Sequence, residues 1–365
     1  MIPVCDDQED TRARACPGYA RGRKAGQVSQ RPDRCPVAGD RRAPARWAAG
    51  AAGQAPDLAA SADHRGDHVR VEMSDVTRAI AAATSVAASL GLPASDAIVV
   101  HNSNRLALRL TPCDVLARVA HTGHEAARLE VELAQRLAEV GCPVGALEPR
   151  AGPLVYTRDG FKVTLWIYYE PVTPHVSPAG YARALERLHA GMRKADVPSP
   201  RFTDRVAEAE EVVASQVLSP ELADADRVFL SSRLGSLRRA IDDCGAVEQL
   251  LHGEPHQGNV LSTKNGPLFI DLETCCRGPV EFDLAHVAEA VCEHYPSVNQ
   301  GLLDECRQLV LAMVAAWRWD LGDQFPNGRR FGEEFLRSLR EGPPWPTLDT
   351  VTRRLDGLQK SPKVT

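Results

Sequence analysis

The chain has 365 residues, of which 44% are hydrophobic and 25% are charged, and its formal net charge is −5. This composition is typical of a globular protein with one large or two medium domains. The acidic balance argues against nucleic-acid binding, which needs a basic surface, and no apolar run approaches the roughly 20 residues of a membrane span. The N-terminal MIPVCDDQED has no signal-peptide pattern and the ten cysteines include no C-x-x-C spacing, so we expect reduced thiols and a cytoplasmic location.

Residues 1–72 differ in composition from the rest of the chain. They are rich in Arg, Ala, Gly, Pro and Asp and have few large aliphatic residues. Such a segment cannot bury enough apolar surface to offset its ordering entropy, so we expect it to be disordered. Two interpretations stay open: the segment is a translated extension, or it is a gene-model artefact and the protein starts at Met73.

Residues 73–168 predict a small sheet with a helix on it. A first helix begins at Ser74 and ends at Gly91, and a second runs from about Glu125 to Val140 because its leucines recur at helical spacing. The strands, which are rich in β-branched or aromatic residues between turn signals, are predicted at Ala97–Val100, Arg105–Leu110, Val115–Ala120, Leu154–Tyr156 and Lys162–Tyr169.

Residues 169–345 are predicted to be mainly helical. Ser177-Pro178 and Ser219-Pro220 each place a capping residue before a proline, which predicts helices that end near Lys194 and Asp243. Two more apolar periodic stretches follow in residues 283–316, and residues 346–365 are assigned to a tail. A small sheet-rich N-terminal lobe followed by a larger helical lobe is a two-lobed α+β fold.

The segment 252–271, HGEPHQGNVLSTKNGPLFID, contains two apolar strands around Asn-Gly, which is a hairpin signal. A two-residue turn would pair Val260 with Asp271, whereas a three-residue turn would pair Asn259 with Asp271 on one face. We expect the second register, because it places an amide oxygen beside a carboxylate, a combination that suits Mg²⁺. Glu254 lies in the preceding loop, where its carboxylate could receive a proton from an attacking hydroxyl.

The spacing of an acid, an Asn five residues later, a hairpin and an Asp is that of protein-kinase-like phosphotransferases. HGEPHQGNVL, FIDLET and GPVEFDLAHV resemble the aminoglycoside phosphotransferase family, a broad group of small-molecule kinases, over about residues 76–320. The resemblance implies a protein-kinase-like fold with ATP or GTP bound between the lobes 73–168 and 169–345. It also implies Mg²⁺ and transfer of the γ-phosphate to a hydroxyl of a small molecule.

The resemblance assigns roles to particular side chains. It implies Glu254 as the catalytic base, Asn259 and Asp271 as metal ligands, and an ion pair of Arg118 with Glu130 at the phosphates. Further nucleotide contacts are implied for the covering loop and the hinge, namely Asn102, Ser103, Trp166, Ile167 and Tyr168. The family's usual base is Asp, and the longer Glu254 shifts the carboxylate by roughly 1 Å, a distance that can affect the rate.

Other polar residues are interpreted as supports. We expect Asp283 to accept hydrogen bonds from the catalytic loop and His252 to bind backbone groups that shape that loop. Glu273 is interpreted as a group beside the metal ligands. Trp317 and Trp319 are interpreted as core residues.

Two other functions stay open. The chain could be a nucleotide-binding pseudokinase or sensor, or a metal-dependent hydrolase that uses His252, Glu254 and His256, although Pro255 argues against a strand there. Acidic side chains in residues 285–345 would suit an amine-bearing acceptor, but helix surfaces carry such charges routinely; they are Glu289, Glu293, Asp304, Glu305, Asp320 and Asp323. The acceptor, the choice of ATP or GTP and the oligomeric state are not readable from the sequence.

Overall fold

The computed structural model describes residue 71 and residues 73–102, 105–124, 126–172 and 176–360. The chain divides into two units at Ala60, and all described residues belong to the unit that spans 61–365. The predicted disorder of residues 1–72 therefore lies outside the described residues, apart from Val71. Both predicted lobes belong to this one unit.

The N-terminal part of this unit is an antiparallel five-stranded sheet with the strand order β1-β2-β3-β5-β4. Leu106, Leu108 and Leu110 alternate along the second strand and are fully buried in a core that includes residues of the first helix. Because side chains alternate between the two faces of a strand, the residues between these leucines face the opposite side. The elements are α1 (Met73–Ser89), β1 (Ala94–Asn102), β2 (Leu106–Pro112), β3 (Val115–His121), α2 (Ala126–Glu139), β4 (Tyr156–Arg158) and β5 (Phe161–Ile167).

The remaining part is mainly helical and has its own core. Its fully buried aromatic residues are Phe202, Phe269 and Phe282. Its elements are α3 (Pro178–Met192), α4 (Phe202–Ala214), α5 (Asp224–Asp243), β6 (Gln249–Leu251), β7 (Val260–Thr263), β8 (Gly266–Phe269), β9 (Cys276–Gly278), α6 (Val280–Leu284), α7 (Glu289–Cys292), α8 (Gln300–Trp317), α9 (Gly328–Glu341) and α10 (Leu348–Lys360). The predicted order of a sheet followed by helices is confirmed, and the predicted tail contains helix α10.

Helix α4 is the main element that the sequence prediction omitted. It buries Phe202, Val206 and Val213 at helical spacing, and its acidic residues lie on the other faces. The expected cap at Ser219 is also wrong, because Ser219 Oγ donates to the carbonyl of Val212 at 2.7 Å and α5 begins only at Asp224. By contrast, Ser177 caps α3 as predicted, accepting a hydrogen bond from the N–H of Gly180.

Two general expectations concern the environment of the chain. In the part of the chain that the structure describes, no helix is both long and apolar enough to cross a bilayer. The seven cysteines of that part are all free thiols.

Candidate active site

The loop that follows β6 is held by Asp283 of α6, as predicted. The Asp283 carboxylate accepts hydrogen bonds from the N–H groups of His252 at 2.9 Å and Gly253 at 2.8 Å, and it lies 2.9 Å from Nε2 of His189. Burial by itself would raise the pKa of Asp283, but the hydrogen bond from His189 and the nearby imidazoles lower it. An ionised, fully buried carboxylate therefore fixes the start of the loop.

His252 and His256 also serve the loop backbone. Nε2 of His252 lies 3.0 Å from the carbonyl oxygen of Ile270, and its Nδ1 accepts from the N–H of Glu254. His256 Nδ1 accepts from the N–H of Gly258 at 3.1 Å. Because these ring nitrogens are directed at backbone groups, the geometry does not support the metal triad of His252, Glu254 and His256.

Gly253 occupies a position that only glycine can fill. Its φ is +88°, and a Cβ atom placed on it would lie 1.9 Å from the carbonyl oxygen of Thr274. That distance is far inside van der Waals contact, so either the loop or the segment around Thr274 would have to move.

The hairpin of β7 and β8 adopts neither of the two expected registers. Thr263 pairs with Gly266, so the turn consists of Lys264 and Asn265, and Asn259 lies opposite Ile270. The Thr263 hydroxyl closes this turn, donating to the carbonyl of Gly266 at 2.7 Å and accepting from the N–H of Asn265. The expected pairing of Asn259 with Asp271 in one ladder is therefore wrong.

Asp271 leaves the strand in the left-handed conformation, with φ 68° and ψ 63°. Its carboxylate accepts a hydrogen bond from Nη2 of Arg118 on β3 at 2.7 Å. Arg118 also forms an ion pair with Glu130 of α2, whose side chain is fully buried. The ion pair of Arg118 with Glu130 that the family resemblance implied is thus present, and Asp271 is joined to it.

Arg105 is a second arginine in this network, and the sequence reasoning missed its role. It forms ion pairs with Glu130 and Asp271 and lies 3.0 Å from the carboxylate of Glu273, which is itself 3.2 Å from Nε2 of His124. Arg105 directly precedes β2, and the alternation of side chains extended to it puts Arg105 on the face of Ala107, the ladder partner of Arg118. The sequence contains this signal. Burial would raise the pKa of Asp271, but the two guanidinium groups hold it well below its usual range.

Glu254 is paired with Arg205 of α4. The distance from its Oε1 to Nη2 of Arg205 is 2.5 Å, and Arg205 also donates to the carbonyl of Thr274 at 3.3 Å. Burial would raise the pKa of Glu254, but the charge of Arg205 and of nearby histidines lowers it. Asn259 stays close to the same loop, because its Nδ2 donates to the backbone carbonyl of Glu254 at 3.0 Å.

The residues proposed to contact the nucleotide are only partly in positions to do so. Asn102 donates from Nδ2 to the carbonyl of Val71, and Ser103 lies outside the described residues. The N–H of Ile167 donates to the carbonyl of Ala146 at 2.9 Å, so it is not available to a nucleotide base. Trp166 is buried, with its indole N–H donating to Thr164, whereas Tyr168 lines a cavity of about 340 Å³ beside Arg109.

The family of the chain follows from comparison with known sequences. Residues 98–317 match the sequence model of the phosphotransferase enzyme family called APH, and the chain belongs to this family. Stress response kinase A of Salmonella paratyphi A is 29% identical over 163 residues, which cover 38% of this chain and 48% of that protein. The serine/threonine protein kinase RdoA of Salmonella typhimurium matches to the same extent. The chain thus spans about half the length of the curated relatives it matches.

Solved structures agree on the fold. An amicoumacin kinase, hAmiN, in complex with AMP-PNP and Ca²⁺ has a TM-score of 0.56 at 11% identity, over 70% of this chain and 91% of that one. A phosphotransferase of the APH(2'') type in complex with GDP and kanamycin has a TM-score of 0.54 at 17% identity, over 71% of this chain and 97% of that one. A choline/ethanolamine kinase family protein from Mesorhizobium loti has a TM-score of 0.54 at 16% identity, over 76% of this chain and 99% of that one. The predicted kinase-like fold is confirmed.

We predict that Gly253→Ala disrupts the loop, whereas Gly245→Ala has a small effect. Both glycines have positive φ, but an added Cβ at Gly245 meets no atom within 4 Å. Strain alone costs about 1 kcal/mol at such a position, whereas the contact with Thr274 adds a steric clash to it. Urea denaturation of both variants measures the difference, and equal losses of stability would contradict the proposed role of Gly253.

Proposed function

We propose that this chain transfers the γ-phosphate of ATP or GTP to a hydroxyl group of a small molecule, with Mg²⁺, in the cytoplasm. The observation that carries the proposal is the position of Asp271. Its carboxylate lies against Arg118, which Glu130 orients, and it lies two residues after the β7–β8 hairpin, which Asn259 directly precedes. This arrangement supports a site in which a cation for phosphate groups lies beside a carboxylate for a metal ion.

The side chains at this position fit a magnesium ion. Asp271 is 30% exposed, so one of its faces is open to a ligand. Asn259 uses its amide nitrogen for the carbonyl of Glu254, which leaves its amide oxygen as the atom for a ligand. The carboxylates of Asp271, Glu130 and Glu273 outnumber the guanidinium groups of Arg105 and Arg118, so negative charge is in excess here. Asp271 and Asn259 would hold the ion, whose charge would stabilise the triphosphate oxygens during transfer.

Each remaining residue has a proposed part in the reaction. Arg118 binds the phosphate oxygens of the nucleotide, and Glu130 holds the guanidinium in place for that contact. Asn102 and Ser103 belong to the loop that covers the nucleotide, and the backbone around Trp166, Ile167 and Tyr168 borders the base, with Tyr168 nearest to the open cavity.

Glu254 is proposed as the base. The acceptor oxygen attacks the γ-phosphorus, and the bond from that phosphorus to the β-phosphate oxygen breaks. The nucleoside diphosphate leaves with the electron pair, and the hydroxyl proton passes to the Glu254 carboxylate. In the ion pair with Arg205 the pKa of Glu254 is lowered, so the carboxylate is ionised but is a weak proton acceptor. Opening of this ion pair makes Glu254 a stronger base, because burial by itself raises the pKa of the carboxylate and the charge of Arg205 no longer opposes it.

A nucleotide-binding pseudokinase is the second candidate. It is favoured by one observation, namely that both working carboxylates are engaged by arginines: Glu254 by Arg205, and Asp271 by Arg105 and Arg118. A pseudokinase would retain these pairs when nucleotide binds. An active enzyme would exchange them for metal and substrate.

We predict that Asp271→Ala removes phosphate transfer while Asp243→Ala, at the exposed end of α5, leaves it intact. Asp271 is the proposed metal ligand, so its removal should lower transfer to hydroxyl acceptors by at least about 100-fold. Labelled nucleotide and a panel of hydroxyl compounds, assayed with and without Mg²⁺, provide the measurement. Transfer that is absent from wild type, or that survives in Asp271→Ala, would contradict the proposed function.

We also predict that Arg205→Gln moves the acidic limb of the pH profile to higher pH. The pKa of Glu254 in the folded protein is depressed below its ordinary value of 4.5. The ionised base and its pair with Arg205 are therefore fully present above pH 4.5, and both are lost as the pH falls through the depressed pKa of Glu254. Without Arg205, the burial that raises the pKa of Glu254 is no longer opposed by this cation. The measurement is kcat/KM against pH.

The control for this prediction is Arg238→Gln. Arg238 also forms an ion pair with a glutamate, Glu210, at 3.3 Å, but it does so in a more exposed position. The account requires a displaced profile for Arg205→Gln and an unchanged one for Arg238→Gln. If wild type, Arg205→Gln and Arg238→Gln gave the same pH profile, the proposed effect of Arg205 on the pKa of Glu254 would be refuted.

A further inference from the structure

We propose that the acceptor carries an anionic oxygen group, a carboxylate or a phosphate, and that Arg205 and Arg318 bind this group. The inference rests on the proposed function and deepens it, because it names the chemical class of the hydroxyl compound. It depends on the surroundings of Glu254, since the acceptor hydroxyl must lie beside the base when the proton is transferred.

Arg205 is the first of the two cations. Its guanidinium contacts the Glu254 carboxylate at 2.5 Å, and its centre lies 5.4 Å from the ring centroid of Trp317. A stacked guanidinium is held in one plane and presents its edge for hydrogen bonds. The edge of Arg205 therefore faces the base.

Arg318 is the second cation, and it directly follows Trp317 at the end of α8. It forms an ion pair with Asp323 at 2.9 Å and lies 4.4 Å from the ring centroid of Phe325. Burial lowers the pKa of Arg318, and the opposite charges of Asp323 and Glu254 act against this effect. Glu254 thus lies within the electrostatic reach of an arginine from α4 and of another from α8.

Several N–H donors of this cluster lack an acceptor. Among the described residues, no hydrogen-bond partner exists for the buried Nε atoms of Arg205 and Arg318 or for the buried Nη1 of Arg318, which meets Asp323 only as an ion pair. Buried donors are rarely left unpaired in native proteins, so such a cluster indicates a missing acceptor. The side chains of Arg205 and Arg318 remain 12% and 18% exposed, so both are partly open to an oxygen-bearing ligand.

The alternative of an amine-bearing acceptor finds less support. Three of the six acidic side chains that the sequence offered for it are engaged elsewhere: Glu289 and Asp304 both pair with Arg307, and Asp323 pairs with Arg318. Burial lowers the pKa of His286 beside Glu254 to about 4, so this imidazole is neutral at pH 7. A cationic acceptor would therefore approach the base between two arginines.

An anionic group also explains how the base is released. When it binds Arg205, it replaces the Glu254 carboxylate, which can then turn to the acceptor hydroxyl. The hydroxyl oxygen forms a bond to the γ-phosphorus while the bond from that phosphorus to the β-phosphate oxygen breaks. The nucleoside diphosphate leaves with the electron pair, and the hydroxyl proton passes to Glu254.

The test compares two sets of probes by calorimetric titration of the full chain, with Mg²⁺ and a non-hydrolysable ATP analogue present at constant ionic strength. The anionic set is glycerate, gluconate and glucose 6-phosphate, which separates carboxylates from a phosphate. The cationic set is ethanolamine and glucosamine. We expect at least one anionic probe to bind about tenfold or more tightly than either amine, because hydrogen bonds to charged groups are worth about 1.5–3 kcal/mol.

Arg318→Gln should remove this preference, and Arg233→Gln should retain it. Arg233 is a matched control, because it too stacks on an aromatic ring, that of Phe229. Equal binding of the two sets, tighter binding of amines, binding of neither set, or a preference that survives in Arg318→Gln would each overturn the inference.

The failure of this inference is distinguishable from that of the proposed function. Asp271-dependent phosphate transfer to an amine-bearing hydroxyl compound would refute the anionic acceptor while leaving the phosphotransferase reaction in place. Binding of anionic probes without any Asp271-dependent transfer would refute the phosphotransferase reaction, whereas the anion-binding site of Arg205 and Arg318 would stand.

Discussion

The carboxylate of Asp271, held between two arginines, is the interaction on which the rest of this structure depends. Arg118 and Arg105 come from the N-terminal sheet, Glu130 comes from α2, and Asp271 comes from the segment after β8. Buried charges are costly unless they are fully paired, and each member of this network is compensated by at least one other. Loss of one partner would leave an uncompensated charge, so the sheet and the hairpin are coupled by these contacts.

The same network defines what a ligand has to do. A metal ion that binds Asp271 competes with Arg105 and Arg118, whereas a triphosphate offers both arginines new partners. A metal–nucleotide complex can therefore replace the existing ion pairs with equivalent ones, which neither component does alone. Asp271 has a left-handed backbone conformation, and its carboxylate contacts the arginines of the sheet at which we propose this exchange.

The sequence predicted the fold and the segment 252–271 because both depend on local signals: caps, periodic apolar residues and the spacing of Glu254, Asn259 and Asp271. The hairpin register was missed because Thr263, rather than the Asn-Gly pair, closes the turn. Arg205 was missed together with α4, although Phe202, Val206 and Val213 recur at helical spacing. Its partner Glu254 is 49 residues away, a long-range contact that periodicity does not encode.

The most direct test of the central claim uses Mn²⁺ in place of Mg²⁺ and follows its electron paramagnetic resonance spectrum as it binds to the full chain with a non-hydrolysable ATP analogue. The account predicts that wild type binds the ion in a protein–nucleotide complex, that Asp271→Asn weakens this binding by at least about tenfold, and that Glu273→Gln retains most of it. Binding of Mn²⁺ in Asp271→Asn as tight as in wild type would contradict the assignment of Asp271 as the metal-holding carboxylate.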